Sequence, residues 1–248
     1  MKTKNSNVNW YFIALFYLIA FVISAPFNSG LFSKSYENLT QNYLISYWAF
    51  LPAGIGTFTA FLLALFFYKN YNRTITFFGN NRLRNLAIAL TPLIVFTIAG
   101  LGNEHQLNNN YYGFVFAAVA LIYALSEEIF WRGFLQDALR PIGKNLPYLI
   151  IGIFWWAWHF RFSTSFDFTT FLLICVGSAF LLGTFAEETK SFLSSAGLHS
   201  LIILITSNGA MTNSGIAGGA ISLVIWLSIG KWWKTKTDRP VEETVISG

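Results

Sequence analysis

The sequence has 248 residues, of which 54% are hydrophobic, 19% aromatic and only 11% charged. About a quarter of the residues of a soluble domain are charged, so the composition excludes an ordinary water-soluble globule. The formal net charge of +5 does not indicate nucleic-acid binding, because the basic residues are scattered over short loops and both tails. Apolar runs recur along the whole chain, which predicts one membrane-embedded domain over 1–248 with the lipid bilayer as its partner.

The first apolar run, residues 10–25, follows two lysines and resembles a secretory signal. Pro26 would occupy the position just past the small residue Ala25, where it should block cleavage. We therefore interpret this run as a retained first span. The single cysteine, Cys175, lies in an apolar run and cannot form an intramolecular disulfide.

Apolar runs of about 17 to 25 residues indicate membrane-spanning helices, and we find about eight. Clusters of Gly, Pro and Asn such as "RPIGKN" separate them, as expected at helix ends. The predicted helices cover residues 10–25, 43–68, 85–101, 112–139, 146–160, 170–186, 191–207 and 215–233. The sequence thus predicts an all-α, polytopic membrane helix bundle with a short polar tail at 234–248.

The distribution of Lys and Arg predicts the orientation of this bundle, because basic residues collect in cytoplasmic loops. With the N-terminus inside, only Lys34 and Arg161 fall in outside loops, and Arg132 lies within a span. All the other basic residues fall on the inside: Lys2, Lys4, Lys69, Arg73, Arg82, Arg84, Arg140, Lys144, Lys190, Lys231, Lys234, Lys236 and Arg239. Both termini are therefore predicted to be cytoplasmic, and the protein to be a multi-pass protein of the cell membrane.

When loops and helix ends are set aside, five charged or histidine residues are left inside the predicted spans: Glu127, Glu128, Arg132, His159 and His199. A charge inside the bilayer costs at least ~2.5 to 3.5 kcal/mol, so such residues usually face the protein interior and mark function. At the rise of an α-helix, Glu127, His159 and His199 lie roughly 20, 22 and 14 Å from their cytoplasmic flanks. The similar depths predict that three different helices converge on one buried site.

Local spacing separates the two carboxylates. Glu128 and Arg132 are four residues apart with the acid first, which favours an ion pair on one helix face. Glu127 points about 100° away and lacks that partner. Low dielectric disfavours its charged form, which suits a general base or acid, and the two histidines could orient water against it or ligate a metal.

The alternative is purely structural: Glu128 and Arg132 form a packing pair, Glu127 is a bystander, and both histidines are hydrogen bonded to backbone. The grouping of all five residues at similar depth favours function. Glu187 and Glu188 resemble a second acidic pair, but they fall at a cytoplasmic helix end where solvated charge is ordinary. The sequence contains no HExxH zinc motif, phosphate-binding glycine loop or GxSxG nucleophile elbow.

The segment "EEIFWR", residues 127–132, resembles the EExxxR signature of the CPBP family, the CAAX-protease and bacteriocin-processing intramembrane enzymes also called Abi. The family's FxxxH motif resembles "WWAWH", with Trp155 in the aromatic position and His159 as the histidine. Its third motif, His followed four residues later by Asn or Asp, is matched at His199 but has Ile203 in the last position. The resemblance covers about residues 85–207, which we take as the catalytic core.

The resemblance implies peptide-bond hydrolysis within the membrane. Carried onto this chain, Glu127 would activate water and Glu128 would support it while pairing with Arg132. His159 and His199 would orient water or stabilise the oxyanion. If a metal is used, Glu127, His159 and His199 would be its ligands, and zinc is the metal that such a set suits. The same residues could also work with no cofactor.

Three functions remain open on the sequence alone. The first is an intramembrane endopeptidase for a membrane-associated or hydrophobic peptide or membrane protein, which family relatives connect with bacteriocin self-immunity and peptide-signal processing. The second, motivated by Ile203 and by Trp155, is a catalytically weak or inactive member that binds a peptide or protein as an immunity factor. The third, less favoured, is a proton-coupled transporter with a glutamate–histidine relay. The sequence does not indicate an oligomeric state.

Overall fold

The computed structural model of the protein describes residues 8–32, 51–68, 72–103, 106–206 and 213–237, the last seven of these as backbone only. Within these residues the architecture is a bundle of eight principal helices with no strand, apart from an isolated bridge between Thr76 and Ser191. The helices are α1 Trp10–Asn28, α2 Gly54–Phe67, α3 Arg82–Ala99, α4 Asn109–Phe130, α5 Leu146–Trp158, α6 Thr170–Thr189, α7 Phe192–Thr206 and α8 Asn213–Thr237. The predicted all-α helical bundle is confirmed.

Several helices begin where an asparagine side chain caps them. The Oδ1 atom of Asn9 accepts from the amide of Phe12 at the start of α1. Asn81 does the same for α3, and Asn108 accepts from two amides at the start of α4. Each cap satisfies backbone donors that lack a partner within the helix. The Asn-rich loops of the sequence therefore define where these helices begin.

The helix bounds differ from the predicted ones in informative places. The first part of the helix predicted at 43–68 lies outside the described residues, and its described part opens with the 3-10 turn Leu51–Ala53. The helix predicted at 112–139 is interrupted, because Trp131–Gln136 forms a π-helical stretch between α4 and the turn Asp137–Leu139. The helix α8 continues to Thr237 and so includes the first residues of the polar tail predicted at 234–248. Residues 238–248 lie outside the described part.

Five of the helical segments are long and apolar enough to cross a membrane: Trp10–Asn28, Arg82–Ala99, Asn109–Ile142, Ser165–Thr189 and Asn213–Gly230. The segments Leu51–Phe67, Leu146–Trp158 and Phe192–Thr206 are apolar but shorter. Large apolar side chains such as Ile98, Leu173 and Leu227 are more than 70% exposed on the outside of the bundle. Outward-facing apolar residues on long apolar helices are typical of a multi-pass membrane protein.

The helix that carries His199 is fixed at its start by the loop 72–80. The amide of Thr76 donates to the carbonyl of Lys190 at 2.9 Å, and the amide of Phe192 donates to the carbonyl of Thr76 at 3.1 Å. Asp137, just beyond the π-helical stretch, accepts from the amides of Thr74 and Ile75 at 2.6 and 2.8 Å. This loop therefore ties the start of α7 to the end of the rod formed by α4 and its continuation.

Candidate functional site

Three of the predicted site residues lie where α4 passes into its π-helical stretch. Glu127 and Glu128 occupy the last turn of α4, and Arg132 is the second residue of the stretch Trp131–Gln136. All three side chains are fully buried. π-Helical turns are rare and occur frequently at functional sites, because they alter the facing of side chains within a helix.

The Glu128 carboxylate is the centre of a buried polar network. Its Oε2 atom lies 3.2 Å from Nε of Arg132, which is the ion pair predicted from the four-residue spacing. The same oxygen accepts from the hydroxyl of Ser195 at 2.6 Å, and Oε1 lies 3.1 Å from Nδ1 of His199. Contributions from α4 and α7 thus satisfy both oxygens. Glu128 is a structural and orienting carboxylate in this arrangement.

Arg132 is a buried cation with spare donor capacity. Its Cζ atom lies 5.5 Å from the centre of the Trp155 ring, a cation–π contact. Its Nη1 and Nη2 atoms have no hydrogen-bond partner among the described residues. The guanidinium also attracts Glu127 electrostatically. It therefore offsets the charges of both carboxylates while keeping N–H groups available inside the site.

Glu127 is hydrogen bonded through one of its two carboxylate oxygens. Its Oε2 atom accepts from the indole Nε1 of Trp155 on α5 at 2.6 Å. The Tyr123 side chain, one turn earlier on α4, also hydrogen bonds Glu127. The Oε1 atom is buried and meets no hydrogen-bond partner among the described residues. A buried carboxylate oxygen with an unused lone pair can accept a proton from water or from a substrate.

The hydrogen bonds of the two histidines determine their tautomers. Nδ1 of His159 lies 2.7 Å from the backbone carbonyl of Trp155, and a carbonyl can only accept, so Nδ1 carries the proton. Nδ1 of His199 faces the Glu128 carboxylate in the same way. When neutral, both rings therefore keep Nε2 as an acceptor. His159 is the C-cap residue of α5 and is half-buried, whereas His199 is buried within α7.

The structure brings together the residues that the sequence placed at similar depth. The Trp155 ring lies 5.0 Å from the His199 ring and 5.8 Å from the His159 ring, between centroids. Residues from α4, α5 and α7 thus share one site, as expected. The structural interpretation is also partly right, because His159 is bonded to backbone. What sequence reasoning missed is that Trp155 holds Glu127 and that Ser195 joins the Glu128 network.

Zinc, which the sequence allowed, stays a prediction. The described residues contain no group of three or more His, Cys, Asp or Glu placed to hold a metal ion. We therefore derive no step through zinc.

Ile203, the departure from the third motif, packs half-buried against the apolar cluster formed by α3, α4 and α7. It adds no polar group to the site. Glu187 is less solvated than expected, because Arg140 binds both of its carboxylate oxygens, at 2.9 and 2.8 Å. Glu104, His105 and Asn208 are further polar residues of the sequence, and they lie outside the described residues.

The fold and site define a class of protein: a multi-pass helical membrane protein with a buried carboxylate–histidine cluster. Residues 108–205, less than half of the chain but including the whole cluster, match the family described as Rce1-like, type II CAAX prenyl endopeptidase Rce1-like. The match supports the resemblance to the CPBP family and supports a protease of the CAAX type. No curated protein and no solved structure matches the chain.

Proposed function

We propose that the protein is an intramembrane endopeptidase in which Glu127 activates the attacking water. The observation that carries this proposal is the free Oε1 atom of Glu127, buried beside two histidines whose Nε2 atoms are left as acceptors. A carboxylate in such a place is suited to general-base catalysis. Its neighbour Glu128 is occupied by three partners and is suited to orienting His199.

In the proposed reaction Glu127 Oε1 takes a proton from water as the water oxygen attacks the carbonyl carbon of the scissile peptide bond. The carbonyl oxygen becomes an oxyanion, and the spare N–H groups of Arg132 supply positive charge and donors within the same buried volume. The proton held by Glu127 then passes to the leaving nitrogen as the C–N bond breaks. The second O–H group of the water donates to the acceptor Nε2 atom of His159 or of His199, which orients the water.

The proposed substrate is a membrane-associated or hydrophobic peptide, or a membrane protein, because the site lies within a bundle whose outer surface is apolar. We place the protein in the cell membrane, and we propose bacteriocin self-immunity or the processing of peptide signals as its context. These assignments rest on the family resemblance and on the burial of the site.

The substitution Glu127→Gln tests the proposal, because it keeps the side-chain shape and removes the ability to take a proton. Membrane and secreted peptides from cells carrying wild type or Glu127→Gln are compared by mass spectrometry. We expect at least one cleavage product to fall by about 10²-fold or more, the usual contribution of a general base. Glu188→Gln is the matched control, since Glu188 is an exposed acid at the cytoplasmic end of α6, and it should leave that product unchanged.

Retention of every product in a well-folded Glu127→Gln protein would refute the proposal. If the biological effect also persisted, it would favour a binding protein such as an immunity factor. Proton-coupled flux in proteoliposomes that depends on Glu127 would instead favour a transporter.

A further inference from the structure

A cavity of about 360 Å³ lies at the end of the bundle that is predicted to face the cytoplasm, where the continuation of α4 ends, α5 begins and α6 ends. Pockets that hold small molecules have volumes of about 300 to 1,000 Å³. The walls of the cavity include Gln136, Arg140, Lys144, Pro147, Tyr148 and Glu187, none of which belongs to the buried carboxylate–histidine cluster. We propose that this cavity binds the head group of a membrane phospholipid, and that phosphatidylethanolamine is the lipid its groups fit. The inference is independent of the proposed function.

Two cationic side chains in the wall are available to a phosphate group. Lys144 is exposed and forms no salt bridge among the described residues. Arg140 donates to Glu187 through both of its Nη atoms, whereas its buried Nε atom has no hydrogen-bond partner in the described part of the chain. A phosphate oxygen would supply the acceptor that this Nε atom lacks. Hydrogen bonds between cationic donors and a phosphate are among the strong ones in proteins.

The N-terminus of α5 adds to the attraction for an anion. Lys144, Pro147 and Tyr148 of the wall bracket this N-terminus, because α5 begins at Leu146. The N-cap residue Asn145 makes no capping hydrogen bond through its side chain. The N-terminus of an α-helix carries a partial positive charge and favours a bound phosphate. One side of the cavity is therefore suited to the phosphate of a head group.

Gln136 provides the opposite chemistry. Its side chain is 3% exposed, and its Nε2 atom donates to the carbonyl of Gly183 at 3.0 Å. This bond fixes the orientation of the amide, because a backbone carbonyl can only accept. The Oε1 atom is left buried with no donor among the described residues. A buried acceptor without a partner is unfavourable, so a ligand with an N–H or O–H group would stabilise this wall.

Glu187 indicates which kind of donor fits. It lies four residues after Gly183 on α6, so its carboxylate and the amide of Gln136 lie along one face of that helix. Its side chain is 32% exposed, and a carboxylate can accept more bonds than the two from Arg140. A negative charge beside a neutral acceptor favours an ammonium group over a hydroxyl. Phosphatidylethanolamine carries a phosphate and a primary ammonium, whereas the trimethylammonium of phosphatidylcholine has no N–H to donate.

An apolar stripe on α5 distinguishes a lipid from a soluble phosphate ester. Leu146, Leu149 and Ile153 are spaced by three and four residues, so they share one helix face, and they are 46%, 39% and 42% exposed. The stripe begins beside Pro147 in the cavity wall and runs along α5 away from the cavity. The acyl chains of a lipid would cover this stripe while its head group occupies the cavity. A soluble ester would leave the stripe uncovered.

Native mass spectrometry of the full-length protein tests the proposal. The protein is delipidated in detergent and titrated with dioleoylphosphatidylethanolamine or with dioleoylphosphatidylcholine, which has the same phosphate and the same chains. We expect the ethanolamine lipid to bind at about tenfold lower concentration, because a hydrogen bond from a charged donor is lost with choline. Soluble phosphoethanolamine should bind at least about tenfold more weakly than the ethanolamine lipid, because it cannot bury acyl chains.

Variants separate the two sides of the cavity. Lys144→Gln should weaken the binding of both lipids by about tenfold, because it removes a cation that meets the phosphate they share. Gln136→Met keeps the size of the side chain and removes the acceptor, so it should lower the preference for ethanolamine over choline. Glu187→Gln should do the same and keeps the test decisive if Gln136→Met fails to fold. Arg82→Gln is the matched control for Lys144→Gln, because Arg82 is an exposed cation at the start of α3 and does not line the cavity.

Equal binding of the two lipids by the wild-type protein would overturn the proposal, as would an unchanged preference in both Gln136→Met and Glu187→Gln. A decrease in Arg82→Gln equal to that in Lys144→Gln would show a general attraction between basic loops and lipid, and would also overturn it. Phosphoethanolamine that binds as tightly as the lipid would assign the cavity to a soluble ester instead. None of these measurements needs a cleavage product, so failure of the proposed function leaves the inference standing.

Discussion

At the scale of single residues, two adjacent carboxylates in one helix have different surroundings. Glu128 is contacted by Arg132, Ser195 and His199, so both of its oxygens are occupied. Glu127 has one donor from α5 and an oxygen left open. The different partners, rather than the residue type, separate an orienting carboxylate from one that can exchange a proton.

The buried pair of Glu128 and Arg132 gives a prediction about stability. Glu128→Leu should cost about 3 to 5 kcal/mol, because it leaves a fully buried guanidinium without its ion-pair partner. The double variant Glu128→Leu/Arg132→Met should recover much of that loss, since both charges are then absent. Unfolding in detergent, followed by circular dichroism, measures the difference.

Arg161→Ala is the control for that measurement. It breaks an ion pair with Asp167 in which the Arg161 side chain is 54% exposed, so it should cost no more than about 1 kcal/mol. A single Glu128→Leu variant as stable as Arg161→Ala would contradict the prediction.

Local spacing predicted the ion pair of Glu128 and Arg132, because residues four apart meet on one helix face. Spacing could not predict which of the two carboxylates would contact His199, since that depends on how α7 packs against α4. The hydrogen bond from Trp155 to Glu127 could not be predicted for the same reason. Sequence spacing describes contacts within one helix, and the contacts between helices follow from packing.

At the scale of helices, α7 is held close to α3 at a glycine. A Cβ atom at Gly197 would lie 2.6 Å from Cα of Ala89, which no real contact tolerates. Gly197→Ala must therefore push the two helices apart and displace His199, two residues later. We expect a loss of about 1 to 3 kcal/mol in stability and a decrease in any activity that depends on Glu127.

Gly177→Ala on α6 is the matched control, because a Cβ atom there would meet nothing within 4 Å. Alanine is the better helix former by up to about 1 kcal/mol, so this variant should be neutral or slightly more stable. Thermal unfolding and product formation are measured for both variants. Equal behaviour of the two would show that the close approach at Gly197 does not hold α7 in place.

Apolar runs predicted where the helices lie, because lipid requires continuous hydrophobic segments of limited length. The π-helical stretch Trp131–Gln136 had no such signal, since its residues are as apolar as those of an ordinary helix. The helix that was read as continuous therefore contains a change of hydrogen-bonding pattern.

At the scale of the whole molecule, the basic loops predict which side of the membrane each connection faces. In a Cys175→Ala background, Lys144→Cys should react with an impermeant maleimide only from the cytoplasmic side, and Ser165→Cys only from the opposite side. Both positions are exposed, whereas Cys175 is buried. Labelling of intact cells and of inverted vesicles makes the comparison. Reaction of both cysteines from one side would contradict the predicted orientation.

The π-helical stretch Trp131–Gln136 divides one long helix into two parts, whose side chains do not follow a single α-helical periodicity. A residue added to an α-helix turns every later side chain by about 100° around the helix axis. The wider turns at Trp131–Gln136 therefore change the direction of Asp137 relative to Glu127 from the one that a continuous α-helix would give. Before the stretch, the two glutamates face the buried cluster. After it, Asp137 faces the amides of Thr74 and Ile75. A one-residue deletion in the stretch would keep both carboxylates in place and turn Asp137 away. Changing the length of this stretch by one residue would therefore rotate the end of the helix that carries Asp137.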